Sequence, residues 1–368
     1  MPVRNADLRH ALRRTRILGA ALLFTAAMPL LSSAPVHAAS PKGTGSGFDD
    51  MRLAHIAVPG LHNAYEQSKS NRLTKELDKG AHLLELDVYS TYGGDGGWVV
   101  SHADPLFNEN NCTYSIGSGT LTTTVRNGSL RTCLDNLKDW SDSHPGHDPI
   151  YIKLELKWGF RSNAGMGPTE LDQLIRKHLG ADKVFKPSDM LAGRYPDLDA
   201  AAKADAWPTW KELRGKFVLY PITGMIENRL AGYQLDNLST AQEYAEHVRD
   251  LAAEGRLDQA MMWPDMHPGS GGGDPRDIYD PSLRPWFVMF DAQATSWMSW
   301  DMSWYCANHY LTAQTAAESV APALDDTNPD PAAATERVRY LAEENHSSAT
   351  TFDWTDVPGV FTVWPRNC

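Results

Sequence analysis

Lys153-Leu154-Glu155-Leu156-Lys157 alternates charge and leucine without a break, and this restricts the fold more than any other stretch of the chain. At a strand's period of two, the three charged residues share one face, while Ile152, Leu154 and Leu156 share the other. Glu85-Leu86-Asp87 repeats the arrangement, with both carboxylates on one side and Leu84, Leu86 and Val88 opposite. Such strands suit a (β/α) barrel, where the apolar side packs outward against helices and the charged side points into the interior. The alternative is an exposed edge strand, with solvated acids and lysines that discourage aggregation.

Other strand-like runs are His55 to Val58, Trp98 to His102, Lys216 to Tyr220, Met261 to Trp263, Trp286 to Asp291 and Val360 to Trp364. Between several of them lie apolar residues near the 3.6 period, at Thr169 to Leu179, Thr240 to Glu254 and Ala332 to Glu344. This alternation predicts an α/β fold, a distorted TIM-type (β/α) barrel forming a single domain, with an open doubly wound sheet as the rival. The glycine-rich stretch within Pro264 to Pro275 lacks the Gly-Lys-Ser/Thr ending of a nucleotide-binding loop, and Asp325 to Pro331 is a turn-rich connection.

The N-terminus reads differently from the rest. Arg4, Arg9, Arg13, Arg14 and Arg16 precede a mostly apolar run from Ile17 to Leu31, and Val36-His37-Ala38 ends in a small residue. Residues 1–38 are therefore expected to be a secretory signal peptide, leaving 39–368 as an extracellular domain; the Sec and Tat routes both remain open. Export makes the four cysteines candidates for two disulfides, Cys112 with Cys133 and Cys306 with Cys368, against free buried thiols. Setting aside the signal's five arginines and one aspartate changes the net charge from -12 to near -16. A field of that sign disfavours nucleic acid, and a monomer is expected.

His62 and His102 each follow a strand-like run, where a barrel places functional residues. His144 and His147 precede the Ile150 strand, at the opposite end, and are expected to be structural. Asn63, Glu85, Asp87 and Glu155 offer mainly oxygen, which suits Ca2+ and, less well, Mg2+; zinc prefers nitrogen and sulfur. Lys153 and Lys157 either neutralise Glu155 or receive a phosphate. Neither a His-Glu-x-x-His nor a Gly-x-Ser-x-Gly motif is present.

Three segments resemble the bacterial calcium-dependent phosphatidylinositol-specific phospholipase C family: Pro59 to Tyr65, Gly80 to Val88, and Cys133 through His147 to Lys157. The resemblance implies a distorted barrel and phosphodiester cleavage that yields diacylglycerol and inositol phosphate. It implies that Asn63, Glu85, Asp87 and Glu155 bind calcium, that His62 stabilises the charged phosphorane and that His102 protonates the departing oxygen. Glu85 would also accept the proton of the attacking hydroxyl; the substrate-facing role of Lys153 and Lys157 is read from their strand face instead. Two features depart from the pattern. Phe217-Val218-Leu219-Tyr220 carries no lysine for the head group, and His102 precedes Ala103-Asp104-Pro105 rather than a glycine.

Gly80 to Val88 with Val99 to Pro105 also resembles glycerophosphodiester phosphodiesterases. A glycerophosphodiesterase or phospholipase D-like enzyme on the same barrel is thus the second reading, and a non-catalytic lipid-binding barrel the third. Trp297, Trp300 and Trp304 lie near helical spacing, which fits either a buried helix or an aromatic rim touching membrane.

Overall fold

The computed structural model describes residues 47–368 except 93, 104, 106–109, 117–122, 127, 225–238 and 269–272. The expected signal peptide and most of the glycine-rich stretch lie outside the described residues. Twelve strands follow in chain order: β1 (Ile56–Leu61), β2 (Leu83–Ser90), β3 (Trp98–Val100), β4 (Thr113–Ile116), β5 (Thr123–Arg126), β6 (Ile150–Leu156), β7 (Phe217–Thr223), β8 (Asp265–Met266), β9 (Met289–Gln293), β10 (Leu311–Thr315), β11 (Ala349–Phe352) and β12 (Trp364–Pro365). The helices are α1 (Lys75–Asp78), α2 (Leu130–Ser143), α3 (Pro168–Ile175), α4 (Pro187–Leu191), α5 (Leu198–Lys203), α6 (Thr240–Ala253), α7 (Ala294–Trp297), α8 (Ser303–Ala307) and α9 (Pro331–Glu343).

Eight of the strands run parallel in the order β7-β6-β2-β1-β11-β10-β9-β8. The ring is a nearly closed barrel. Its seam lies between β7 and β8, where Trp263 N donates to Leu219 O at 2.8 Å just ahead of β8. The three expected helices form as α3, α6 and α9. Ser239 and Asp330 cap the last two by accepting from Gln242 N and Ala333 N, and Pro331 takes the first turn, where a missing N–H costs nothing.

Alternation in β2 and β6 works as the sequence implies. Leu84, Leu86, Leu154 and Leu156 are all buried, each contributing about 2 kcal/mol through area removed from water, while the charged residues occupy the other face. Parallel pairing sets Glu85 beside Lys153 and Asp87 beside Glu155. The edge-strand reading fails, because β2 is hydrogen-bonded between β1 and β6.

Several runs fall elsewhere than expected. Trp98 to His102 gives β3, which pairs antiparallel with the end of β2 and is no barrel strand. Met261 to Trp263 leads into β8 rather than forming it, and of Val360 to Trp364 only Trp364 joins a strand, β12, antiparallel to β1. The strands β10 and β11 escaped sequence reading because polar residues fill them. Thr312, Gln314 and Thr350 are buried by hydrogen bonds rather than by apolar contact, as in Gln314 with Asn345. Both disulfides form as expected, Cys112–Cys133 and Cys306–Cys368. His144 and His147 pack on Trp140 ahead of β6, away from the charged strand ends.

Gly60 fixes the approach of β1 to β2: a Cβ there would stand 2.2 Å from Leu83 O and 2.5 Å from Leu83 Cβ. Gly60→Ala should therefore lower the unfolding free energy by about 2–3 kcal/mol through overpacking. Urea titration checks this, and an unchanged midpoint would mean that the two strands separate freely.

Candidate active site

The candidate catalytic and metal-binding residues come from β1, β2 and β6, the exits of β1 and β6, and the segment after β3. β1 delivers His62 and Asn63. Asn63 adopts φ +48°, a left-handed conformation that asparagine tolerates better than most residues, and its side chain is buried. Glu85 and Asp87 come from β2, and Lys153, Glu155 and Lys157 from β6 and its exit. His102 arrives by a different route from the one expected, since β3 folds back along β2 and carries it to the mouth. Its backbone is then held by Tyr89 Oη, which donates to His102 O at 3.0 Å.

One oxygen each from Glu85, Asp87 and Glu155 can be chosen so that all three lie within 4.8 Å of one another. Lys157 Nζ is 2.6 Å from Glu155 Oε1 and 2.9 Å from Asp87 Oδ2. Lys153 Nζ donates to Thr315 Oγ1 at 2.7 Å and to Asp291 Oδ1 at 3.1 Å, and stands 3.5 Å from Glu85 Oε1. Both lysines are buried against carboxylates rather than exposed to a phosphate. Asn63 Oδ1, Glu85 Oε2 and Asp87 Oδ1 are buried with no hydrogen-bond partner among the described residues. Unpaired buried oxygens are costly, and a set made only of amide and carboxylate oxygens is the donor chemistry of a hard cation. The residues present therefore fit calcium. Asn63, Glu85, Asp87 and Glu155 would hold it.

The carboxylates register the crowding. Burial, then Glu155, with a further push from Glu85, moves the Asp87 carboxyl up to about 7 against the pull of Lys157. Burial also raises Asp291, to about 6, although Lys153 opposes it. Asp265, buried beside Asp291, is driven well above the ordinary carboxylate range by burial first and Asp291 second.

The two imidazoles are oriented through Nδ1. His62 Nδ1 lies 3.0 Å from Asp353 Oδ1, and the same oxygen accepts from Lys69 Nζ at 2.6 Å. Burial lowers the His62 pKa, but Glu85 and Asp353 outweigh it and the net shift is upward. Asp353 is pushed up by burial and pulled down further by His62 and Lys69, to about 2. His102 Nδ1 is 3.3 Å from Asn63 Nδ2 and 3.5 Å from Asp87 Oδ2. Nδ1 is thus committed in each ring. Nε2 is the atom left to face a ligand.

Sequence reading missed Asp291, Asp265, Asp353, Lys69, Tyr220 and Thr315. Asp291 closed a strand-like run and could have been weighed as an inward carboxylate. Asp353 follows β11, which gave no strand signal. Tyr220 Oη donates to Asp291 Oδ2 at 3.3 Å, so the run that lacks lysines supplies a hydroxyl instead. The tryptophans share no helix: Trp297 ends α7, Trp300 lies between the helices and Trp304 is in α8. Trp297 is fully buried, with Nε1 donating to Ala313 O at 2.8 Å, while Trp300 and Trp304 are half-buried against Trp297, Tyr305 and Tyr310. Trp297 cannot belong to a membrane-facing rim, because its indole fills the core.

Known proteins place this geometry. No curated protein matches the chain. The family described as phosphoinositide phospholipase C, Ca2+-dependent, matches residues 120–230, which include β6 and β7. A Ca2+-dependent phosphatidylinositol-specific phospholipase C from Streptomyces antibioticus is 43% identical, with a TM-score of 0.79, covering 86% of this chain and 99% of its own. A calcium-dependent phosphoinositol-specific phospholipase C from Pseudomonas sp. shares the fold at 22% identity and a TM-score of 0.63, covering 89% of this chain and 99% of its own. With a relative of such identity aligned along nearly its whole length on the same barrel, the chain belongs to the Ca2+-dependent phosphoinositide phospholipase C family of phosphodiesterases.

Proposed function

We propose that the enzyme cleaves phosphatidylinositol-type phospholipid to diacylglycerol and inositol phosphate with calcium as cofactor. The observation that carries this reading is the set of buried, unpartnered oxygens on Asn63, Glu85 and Asp87, flanked by two histidines tied back through Nδ1. Calcium bound there would offset phosphate charge and make a coordinated hydroxyl more acidic. Glu85 takes the proton of the inositol hydroxyl as its oxygen bonds to phosphorus. As the bond from phosphorus to the glycerol oxygen breaks, that oxygen receives a proton from His102 Nε2, leaving a cyclic inositol phosphate that water then opens to the inositol phosphate. His62, its charge favoured by Asp353 and Glu85, donates to the phosphoryl oxygens while negative charge accumulates on them. Lys153 and Lys157 add positive potential from their buried positions. We further propose export of residues 39–368 after removal of 1–38, which the two disulfides support. Aromatic contact with lipid would fall on Trp300 and Trp304.

His102→Ala should lower kcat about 10^2- to 10^4-fold on phosphatidylinositol, and much less on an inositol phosphodiester with a nitrophenolate leaving group, which departs without protonation. His62→Ala should lower both. An equal loss on the two substrates in the His102 variant would remove the general-acid assignment. Glycerol 3-phosphate as the product of a soluble diester would instead favour the glycerophosphodiesterase reading.

The second prediction concerns calcium. The folded-state pKa of Asp87 is raised from 3.8 to about 7, so between those values the native state holds the proton more tightly than the unfolded chain. Its contribution to stability is complete below the lower value and is lost as pH rises to the upper one. Asp87→Asn should therefore raise Tm in chelator at pH 8 and abolish the Tm increase that calcium gives the parent. Calcium stabilising the variant as strongly as the parent would rule Asp87 out as a ligand.

A further inference from the structure

We infer that the opposite end of the barrel carries a second metal site, one for zinc, built from His55, Asp205 and His309. His55 closes a 3-10 turn at the foot of β1, Asp205 lies in the turn after α5, and His309 sits just ahead of β10. These segments are far apart in sequence, yet a ligand atom of each lies within 4.8 Å of the other two. His55 Nε2 is 3.0 Å from Asp205 Oδ2, and the two imidazoles meet edge to face with centroids 5.5 Å apart. On a tetrahedral zinc ion, ligand atoms at their usual bond lengths stand roughly 3.4 Å from one another, so the His55–Asp205 pair at 3.0 Å would open slightly and His309 would close from within 4.8 Å.

Two observations separate this trio from an ordinary histidine–aspartate pair. His309 Nδ1 and Asp205 Oδ1 are both buried without a hydrogen-bond partner among the described residues, leaving two donors of the right kind unsatisfied. Asp205 and His309 also both adopt left-handed backbone conformations, at φ +50° and +55°, and so come to the trio from turns that few side chains tolerate. The side chains of His55 and Asp205 are 29% and 26% exposed, which gives an ion a way in from solvent. Arg52 Nε lies 3.5 Å from Asp205 Oδ2 with its side chain 47% exposed, and its guanidinium is held by a 2.8 Å bond to Trp207 O.

Donor chemistry selects the ion. Two imidazole nitrogens and one carboxylate oxygen with a fourth position open to water form a borderline set that favours zinc over calcium. Another cluster at this end, Cys306, His346 and Cys368, has the spacing but no thiolate to offer while its cysteines are joined. A zinc ion held by His55, Asp205 and His309 would fasten the feet of β1 and β10 to the connection before β7, stabilising the barrel by binding the native state alone.

The test uses the full chain without an affinity tag, stripped with chelator and returned to saturating calcium so that the mouth is filled. Co2+ should then give the intense visible absorption of a four-coordinate nitrogen and oxygen site, and one equivalent of Zn2+ should abolish it. Zn2+ should raise Tm by roughly 5 °C. Both effects should vanish in His309→Ala and in His55→Ala. Glu155→Gln, at the mouth, should leave them intact. The parent spectrum keeps the test decisive even if a foot variant folds poorly. No such Co2+ band in the parent overturns the site, as does a band or thermal shift that persists in both folded histidine variants.

Discussion

Uncompensated charge inside the barrel mouth is the constraint on which the rest of the structure depends. Glu85, Asp87, Glu155 and Asp291 converge on one buried volume, where Lys153 and Lys157 are the ammonium groups in contact with them. Two lysines cannot neutralise four carboxylates, and in a medium of low dielectric the remaining repulsion is severe. Asp87 and Asp291 respond by holding protons more tightly, and Asp265 does so further. A dication would offset two of those charges and supply partners to the oxygens that have none among the described residues.

Holding that charge in place falls chiefly to β2. It contributes two of the carboxylates, pairs Asp87 with Glu155 through its register on β6, and receives β3 along the other side of its exit, which brings His102 across. Ala64 N also donates to Glu85 O, so the turn carrying Asn63 is tied to the same strand. A one-residue slip of β2 would turn its acids outward and its leucines inward, so the burial of Leu84 and Leu86 enforces the register that catalysis requires. His62 depends instead on the far side of β1, where Asp353 follows β11 and Lys69 secures that carboxylate.

Legibility followed the physical origin of each signal. Glu85, Asp87 and Glu155 were readable because a strict period of two is hard to produce by anything but a strand with distinct faces. Both histidines were readable from their places just after strand-like runs and Asn63 from its oxygen donor, while their separate roles came only from resemblance. Helices α6 and α9 announced themselves through apolar residues at the 3.6 period, and their caps emerged with the structure. The strands β10 and β11 were silent because Thr312, Gln314 and Thr350 satisfy burial with hydrogen bonds, a solution that composition cannot distinguish from exposure. Asp353 was lost with β11, and with it the partner of His62. Trp297 was left open between burial and a rim because an aromatic at helical spacing carries no sign of which side will be covered, and its buried indole bonded to Ala313 O decides for burial.

The two ends of the barrel divide their labour along the same physical line. At the mouth, function demands like charges in proximity, so local stability is low by construction and cannot be improved by repacking without removing the chemistry. Compensation has to come from elsewhere, and the foot is rich in long-range fasteners. Buried Arg366 donates to Ala54 O, Tyr310 O and His346 O, joining the chain's last residues to the starts of β1, β10 and β11. Cys306–Cys368 secures the same region, and His55 with Asp205 bridges β1 to the connection before β7. The Arg366 bonds and the disulfide act on β1, β10 and β11, which do not border the seam between β7 and β8, while His55 with Asp205 reaches the segment that leads into β7. Nitrogen donors at the foot and oxygen donors at the mouth also keep their metal preferences apart, so an ion that fastens one end need not compete for the other.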